Sequence, residues 1–464
     1  MKLLHFSASQ IAVVFMLLLV ACSSKDDNYS LRVTLKDSTS LTPVSGATVV
    51  LYNEDNKTFT LDHIRTSNSD GVVDFGMTPN SNATISVMNY INQVSTLQKI
   101  DTYVDVPAGD IKLYMTTTNS FLRTTCSGPS IAVNVAGVDI TDGSVSLQPI
   151  PRWVGINSQT SVNQNIHICP NDIQTDGKIS LLAYATVEPP GRAISITKYG
   201  KILDEQTSSG ATYEITLDHT PTPVLWSTSS LAQLNSISFM GVRKGASYYE
   251  GTLISGLVPL GASGSALLPL DFPFDYHIVT ASAITGDRQS LTVQTMVDNI
   301  EGGVVLATDV DLRIIDAGYD ASAHHLNWNI SGNHGYDAQL VSIGASDLTQ
   351  NTSLTWIIHM PTQSRELTLP DLPIESKIGI SNIISYIGIY AMDYSKIDGY
   401  ENYWQATQAL LGNRLDERKE SLGTQTSITY ILLSSTSNSA SARLSESAPH
   451  QSVMLSEDGM TLTE

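Results

Sequence analysis

At 464 residues the chain has room for about three domains. Charged residues make up 15% and aromatics 7%, with Ser, Thr and Val plentiful; this favours pleated sheets over helical bundles, because β-branched side chains lose rotamer freedom in a helix. The net charge of −20 sets aside nucleic acid and anionic lipid head groups as partners, and suits calcium or basic ligands or, more simply, the solubility of an exported protein.

Lys2 precedes a short apolar run from Ile11 to Val20, and the run leads into Leu19-Val20-Ala21-Cys22. It is about half a bilayer span, and Ser and Gln interrupt its start, so a secretory leader fits better than a permanent transmembrane helix. The stretch resembles the signal peptide and lipobox of bacterial lipoproteins. That resemblance implies removal of residues 1–21 and acylation of Cys22 as the first mature residue, an N-terminal lipid that attaches the protein to a membrane. Cleavage removes Lys2 and no acid, so −20 becomes −21. Residues 22–29 then form the lipidated tether. Ser23, rather than Asp, follows the anchor; by analogy with enterobacterial sorting this leans towards the outer membrane.

From residue 31 to 115 apolar positions alternate: Leu31, Val33 and Leu35; Ala47, Val49 and Leu51; Val73 and Phe75; Ile85 and Val87; Ile111, Leu113 and Met115. Turn signals at Ser45-Gly46, Ser69-Asp70-Gly71, Pro79-Asn80 and Ala108-Gly109 separate them, so residues 30–118 read as a β-sandwich. Within it PVSGATVVLY (43–52) and TSNSDGVVDFG (66–76) resemble the carboxypeptidase regulatory-like, transthyretin-like family. The resemblance implies a non-catalytic module beside a membrane anchor or appended to another domain. No His-x-x-Glu zinc motif accompanies it.

Residues 119–218 follow as a second block of hairpins. Ile131, Val133 and Val135 alternate, Asp176-Gly177 turns into an apolar strand, and Ser209-Gly210 separates two more. With Cys22 lipidated, Cys126 and Cys169 remain, and an even pair in an exported chain reads as a disulfide. The rival, a metal site using Cys126, His167 and Cys169, lacks a second Cys-x-x-Cys or His pair nearby.

A third block, residues 219–300, opens with HTPTPVLW and places Ile237, Phe239, Tyr248, Leu253, Tyr276, Ile278, Leu291 and Val293 at strand positions. Its Gly-, Ser- and Pro-rich stretch 256–276 reads as a surface loop. In residues 301–433 Trp328, Trp356, SRELTLPDLP (364–373) and SYIGIYAMDYS (385–395) resemble a fibronectin type III domain. The resemblance implies Trp328 in the core, Leu369 and Leu372 closing one edge, and Tyr390 on a central strand. An insert at 400–421 carries Tyr403, Ala406, Leu410 and Leu411 at helical spacing and predicts a short helix across the sheet edge. The Ser-rich residues 434–464 have little to bury and read as a disordered tail. The chain is thus all-β, with tandem β-sandwich domains that are first transthyretin-like and then immunoglobulin- or fibronectin-like.

Chemistry is sparse. Gly261-Ala262-Ser263-Gly264-Ser265 fails the spacing of a nucleophile elbow, and no phosphate loop or dinucleotide fingerprint is present. His324, His325 and His334 with Asp320 or Asp337 form the one local set of metal-type ligands. Strand neighbours point to opposite faces, so surface histidines are the plainer reading. Asp309, Asp311 and Asp316 lack the glycine and further ligand of a calcium loop. Tyr248, Tyr249, Tyr400, Tyr403 and Trp404 could stack on sugars or anchor a partner, or simply pack. No catalytic residue, metal ligand or cofactor is nominated. The residues support a lipid-anchored envelope protein with a non-enzymatic binding or structural role toward protein or glycan. The alternative is a glycan-processing or accessory lipoprotein whose site is assembled from distant carboxylates. Mass mapping without reduction is expected to join Cys126 to Cys169, a closure worth roughly 3 to 4 kcal/mol; two free thiols would remove the bridge.

Overall fold

A computed structural model describes residues 30–37, 42–55, 58–76, 82–90, 96–115, 130–137, 144–150, 162–167, 176–187, 195–230, 234–244, 249–256, 261–286, 289–347, 352–370, 384–409, 422–434, 452–454 and 461–463. Among the described residues the first sandwich has seven strands: β1 (Ser30–Asp37), β2 (Thr48–Asp55), β3 (Thr58–Thr66), β4 (Val72–Gly76), β5 (Asn82–Tyr90), β6 (Thr96–Pro107) and β7 (Gly109–Met115). β1 lies between β4, antiparallel, and β7, parallel, and this small sheet faces the strands β6-β5-β2-β3. Leu31, Val33 and Leu35 are fully buried between the sheets, while Arg32 on the outer face pairs with Asp74. The Asp70-Gly71 signal marks a real constraint: Gly71 has φ +74°, and a Cβ there would run into the Leu35 carbonyl.

The same plan recurs twice. β8 (Ser130–Ala136), β9 (Ser144–Ile150), β10 (Val162–His167), β11 (Lys178–Val187), β12 (Ser195–Gln206) and β13 (Thr212–Thr216) form sheets β10-β8-β13 and β12-β11-β9. Next, β14 (Thr222–Thr228), β15 (Leu234–Lys244), β16 (Tyr249–Gly256), β17 (Ser263–Leu268), β18 (Tyr276–Gly286), β19 (Gln289–Val297) and β20 (Val304–Leu306) form β17-β14-β20 and β16-β15-β18-β19. In all three, the first strand is central in the small sheet and takes the last strand in parallel.

Two expectations change here. The presumed loop 256–276 contains β17, because Gly264 is bare enough for the Trp226 ring to lie against it while Leu268 enters the core. β20, which falls inside the 301–433 block as read from the sequence, pairs with β14 of the third sandwich.

The fourth sandwich is wired differently. It contains β21 (Leu312–Asp320), β22 (His325–Gly332), β23 (Ala338–Asp347), β24 (Thr352–Met360), β25 (Glu366–Thr368), β26 (Ile384–Tyr394), the helix α1 (Tyr400–Ala409) and β27 (Gln425–Ser434). Its sheets run β21-β22-β25 and β24-β23-β26-β27. Trp328 and Tyr390 are buried, as is Leu369; Leu372 lies outside the described residues. The tail read as disordered carries a hairpin of β28 (Ser452–Met454) and β29 (Thr461–Thr463), with Val453 opposite Leu462.

Asp105, Asp204 and Asp316 adopt left-handed backbone at strand irregularities in the first, second and fourth sandwiches. Each shares a side-chain hydrogen bond with the neighbouring strand, through Asn82, Ser180 and Asn329. Asp tolerates this conformation better than branched residues, and the bulges add twist.

The sandwiches are not separate beads. β19 pairs antiparallel with β27, and β24 pairs parallel with β6, so one twelve-stranded sheet runs through the third, fourth and first sandwiches in that order. The second packs on the third through Leu182, Tyr184, Ile196 and Tyr199, which share a core with Trp226, Phe239 and Phe272. Parallel pairing is stable where both faces are covered. β5 and β6 meet that condition: Ile85, Val87 and Val106 face the first core, whereas Met88 and Ile100 join Trp328 and Trp356 in the fourth. Amide hydrogen exchange is therefore expected to give β6 and β24 the same high protection; fast exchange along one side of β24 would show that this edge is open.

Candidate functional site

The described residues place the predicted site groups apart. Cys22, Cys126 and Cys169 lie outside them. His324 Nδ1 lies 3.2 Å from the Tyr319 hydroxyl, His325 sits between Thr368 and Glu366, and His334 Nε2 is 3.0 Å from Asp393. Asp320 accepts hydrogen bonds from Ser322 and Ala323, which hold its pKa below the usual carboxylate range. Asp337 accepts the Tyr394 and Gly399 amides at 2.7 Å, holding the turn before α1. Asp309 takes the Ser229 hydroxyl, and Asp311 takes Asn333. Among the described residues no three His, Cys, Asp or Glu side chains converge on one point.

What the fold does concentrate is aromatic surface at the seam of the first and fourth sandwiches. Tyr103 of β6 and His359 of β24 occupy register positions opposite each other, and their rings stack at 4.6 Å. α1 crosses the seam. Neighbouring helical residues point about 100° apart, so Tyr403 enters the fourth core and Trp404 the first. Trp404 meets Tyr103 edge-on at 5.5 Å, and the Tyr403 hydroxyl is 3.3 Å from His359 Nδ1. The Tyr400 hydroxyl donates to the Val104 carbonyl, and the Lys112 amide donates to Gln408 Oε1. The helix predicted within 400–421 is present over Tyr400–Ala409, with Leu410 and Leu411 outside the described residues, and the three aromatics considered as sugar platforms are consumed in packing. Tyr248 and the Tyr249 side chain lie outside the described residues.

On the opposite face of the same strand pair, Trp356 Nε1 donates to Thr102 Oγ1 at 2.7 Å, and Thr102 shares a further short hydrogen bond with Ser86. All three residues are fully buried. A buried indole N–H needs such a partner. Sequence reading missed this chain of contacts, because nothing in LQKIDTYVDV says which strand will lie beside it.

The second and third sandwiches are joined by a polar cluster. Asp271 accepts from the Tyr199 hydroxyl and forms an ion pair with Lys201 at 2.5 Å, while His219 Nδ1 lies 3.3 Å away. Burial works to raise the Asp271 pKa, but the Lys201 and Tyr199 hydrogen bonds bring it below the usual range. His219 also exchanges backbone hydrogen bonds with Tyr199 and stacks on its ring. Both concentrations of side chains fasten one sandwich to another.

No family model matches the chain, and no curated protein matches it in sequence. Solved structures overlap it loosely. The shaft pilin SpaA of Lactobacillus rhamnosus GG is 11% identical over 40% of this chain and 96% of that one, with a TM-score of 0.14. The Bacillus anthracis TIE protein is 10% identical over 60% of this chain and 49% of that one, with a TM-score of 0.15. A streptococcal ancillary pilin is 9% identical over 60% of this chain and 98% of that one, with a TM-score of 0.13.

Two outcomes are expected at the seam. Thr102→Val, which leaves the Trp356 N–H buried without its acceptor, should lower stability to denaturant by about 1–3 kcal/mol, with Thr102→Ser close to the parent; equal effects of the two would discount the hydrogen bond. Burial, assisted by Lys99, pushes the His359 pKa from 6.5 down to about 3. The imidazole is neutral when folded and takes a proton when unfolded, so its contribution is present above pH 6.5 and is lost as pH falls towards 3. His277, buried and lowered to about 4, acts in the same direction. Unfolding curves across that window should flatten in His359→Phe, and an unchanged slope would mean that His359 is charged or exposed.

Proposed function

We propose that this chain is a lipid-anchored protein of the bacterial cell envelope with a non-enzymatic binding or structural role, meeting protein or glycan through its outer sandwich surfaces. The observation that carries the reading is the continuous twelve-stranded sheet, into which the sandwich following the proposed anchor is built. Any attachment through Cys22 and the tether 22–29 is passed directly to a body of three joined sandwiches rather than to one loose module. The polar fastening of the second sandwich to the third extends that body. Such a design suits holding a surface at a fixed distance and orientation from a membrane.

Strand order supports the module assignments within this reading. The first sandwich is taken as transthyretin-like, from its two sequence segments and its central first strand. The fourth is taken as fibronectin type III-like, from its three-plus-four strand arrangement with Trp328 and Tyr390 inside. A disulfide between Cys126 and Cys169 belongs to the same proposal, as does residence at the outer membrane. Cys22→Ala is expected to move the protein from membrane to soluble fractions without altering its circular dichroism; continued partition with lipid would overturn the anchor.

A further inference from the structure

One titratable side chain touches all three elements of the seam. His359 of β24 stacks on Tyr103 of β6 with ring centres 4.6 Å apart, and its Nδ1 lies 3.3 Å from the hydroxyl of Tyr403 on α1. The Tyr403 ring lies within 22° of parallel to it, with centres 6.5 Å apart. The surroundings of His359 differ from those of three other histidines. His219, His325 and His334 each have a carboxylate within ion-pair distance, Asp271, Glu366 and Asp393 in turn, whereas the charge that acts on His359 is the cation of Lys99. Protonated, those three would each meet a counter-ion, and His359 would meet a second cation.

The other groups that face the imidazole do not reverse this. β6 contributes Lys99, Asp101 and Tyr103; α1 contributes Tyr400 and Tyr403, with Tyr394 of β26 stacked behind Tyr403. On its other side β23 sets the apolar Leu340 opposite His359. The Asp101 carboxylate is 3.9 Å from Lys99 Nζ and so is already engaged. Burial pushes the Tyr103 and Tyr400 hydroxyls up, and both stay neutral. Attraction of a cation to the Tyr103 ring face offsets only part of the lost solvation. Burial and Lys99 together therefore lower the proton affinity of His359 while the sandwiches are docked. Once β6 and α1 part from β24, water surrounds the ring and its ordinary value of 6.5 returns. The contribution of His359 to docking is complete above pH 6.5 and is lost as pH falls towards the lower, docked value.

We propose that the joint between the first and fourth sandwiches is acid-sensitive, with His359 as its proton-responsive contact: acidification weakens the docking of the first sandwich on β24 and α1 while both sandwiches stay folded. The proton is taken up on undocking, because His359 lies between the two bodies, and the cores that hold each together are apolar. A body that is rigid near neutrality thus gains a hinge in acid. The device is independent of a lipid at Cys22.

The test is amide hydrogen exchange of the full chain between about pH 7 and pH 5, a window in which carboxyls of ordinary affinity stay ionised. Rates are compared after correction for the intrinsic pH dependence of amide exchange. The opening equilibrium of peptides covering β6 and β24 should rise as pH falls below 6.5, approaching about tenfold per pH unit, the limit for one proton. The Lys112 amide, which α1 holds through Gln408, should follow them, whereas β1 and β26 keep their protection. Two variants check the assignment. His359→Phe keeps a ring beside Tyr103, His359→Gln keeps a polar group toward Tyr403, and each should flatten the pH dependence. An unchanged slope in both variants, no rise in the parent, or loss of β1 and β26 protection in step with β24 would overturn the acid-sensitive joint.

Discussion

The parallel pairing of β6 with β24 is the contact on which the rest of the architecture depends. Without it the first sandwich would be a separate module, and Met88, Ile100 and Trp356 would be left on open faces. With it, both faces of β5 and β6 are covered, and two sandwiches of different wiring share a sheet. Apolar burial supplies most of the driving force. Direction comes from a few polar groups, Thr102 beneath the Trp356 indole and Val104 beneath the Tyr400 hydroxyl, because a slipped register would leave these donors buried without partners.

The helix α1 converts that strand contact into a three-dimensional clasp. Its adjacent Tyr403 and Trp404 diverge into two cores, so neither sandwich can shift without withdrawing an aromatic ring. Asp337 fixes the approach to the helix by accepting two backbone amides, and its burial raises its pKa as the cost of that placement. At the other end of the body, Asp271 plays a comparable part with Tyr199, Lys201 and His219. Groups that resemble functional residues by type are used to fasten sandwiches together.

The sequence disclosed strands well and neighbours poorly. Leu31, Val33 and Leu35 alternate because one face of β1 is buried, and that pattern can be read directly. Trp328 in the core and Tyr390 on a central strand followed instead from the resemblance of 301–433 to a fibronectin type III domain, because β26 is buried on both faces through most of its length and does not alternate. β17 stayed hidden because Gly, Ser and Pro suggest loops, whereas here Gly264 serves the approach of Trp226. The seam was hidden for a deeper reason: a strand's own alternation records burial, not the identity of the strand that supplies it. The histidines illustrate the converse, since His324, His325 and His334 are close in sequence and bond to different partners. Of the candidate site, the helix spacing and its aromatics were legible, and their division between two cores was not.

The central claim is that the first sandwich is held in the shared sheet by non-covalent contacts with the fourth. Its most direct test places a specific protease site within residues 116–129 of the otherwise intact chain, cuts it under native conditions and follows the two pieces by gel filtration. The N-terminal piece should co-elute with the remainder and separate only in denaturant; elution as a free sandwich immediately after cutting would contradict the shared sheet.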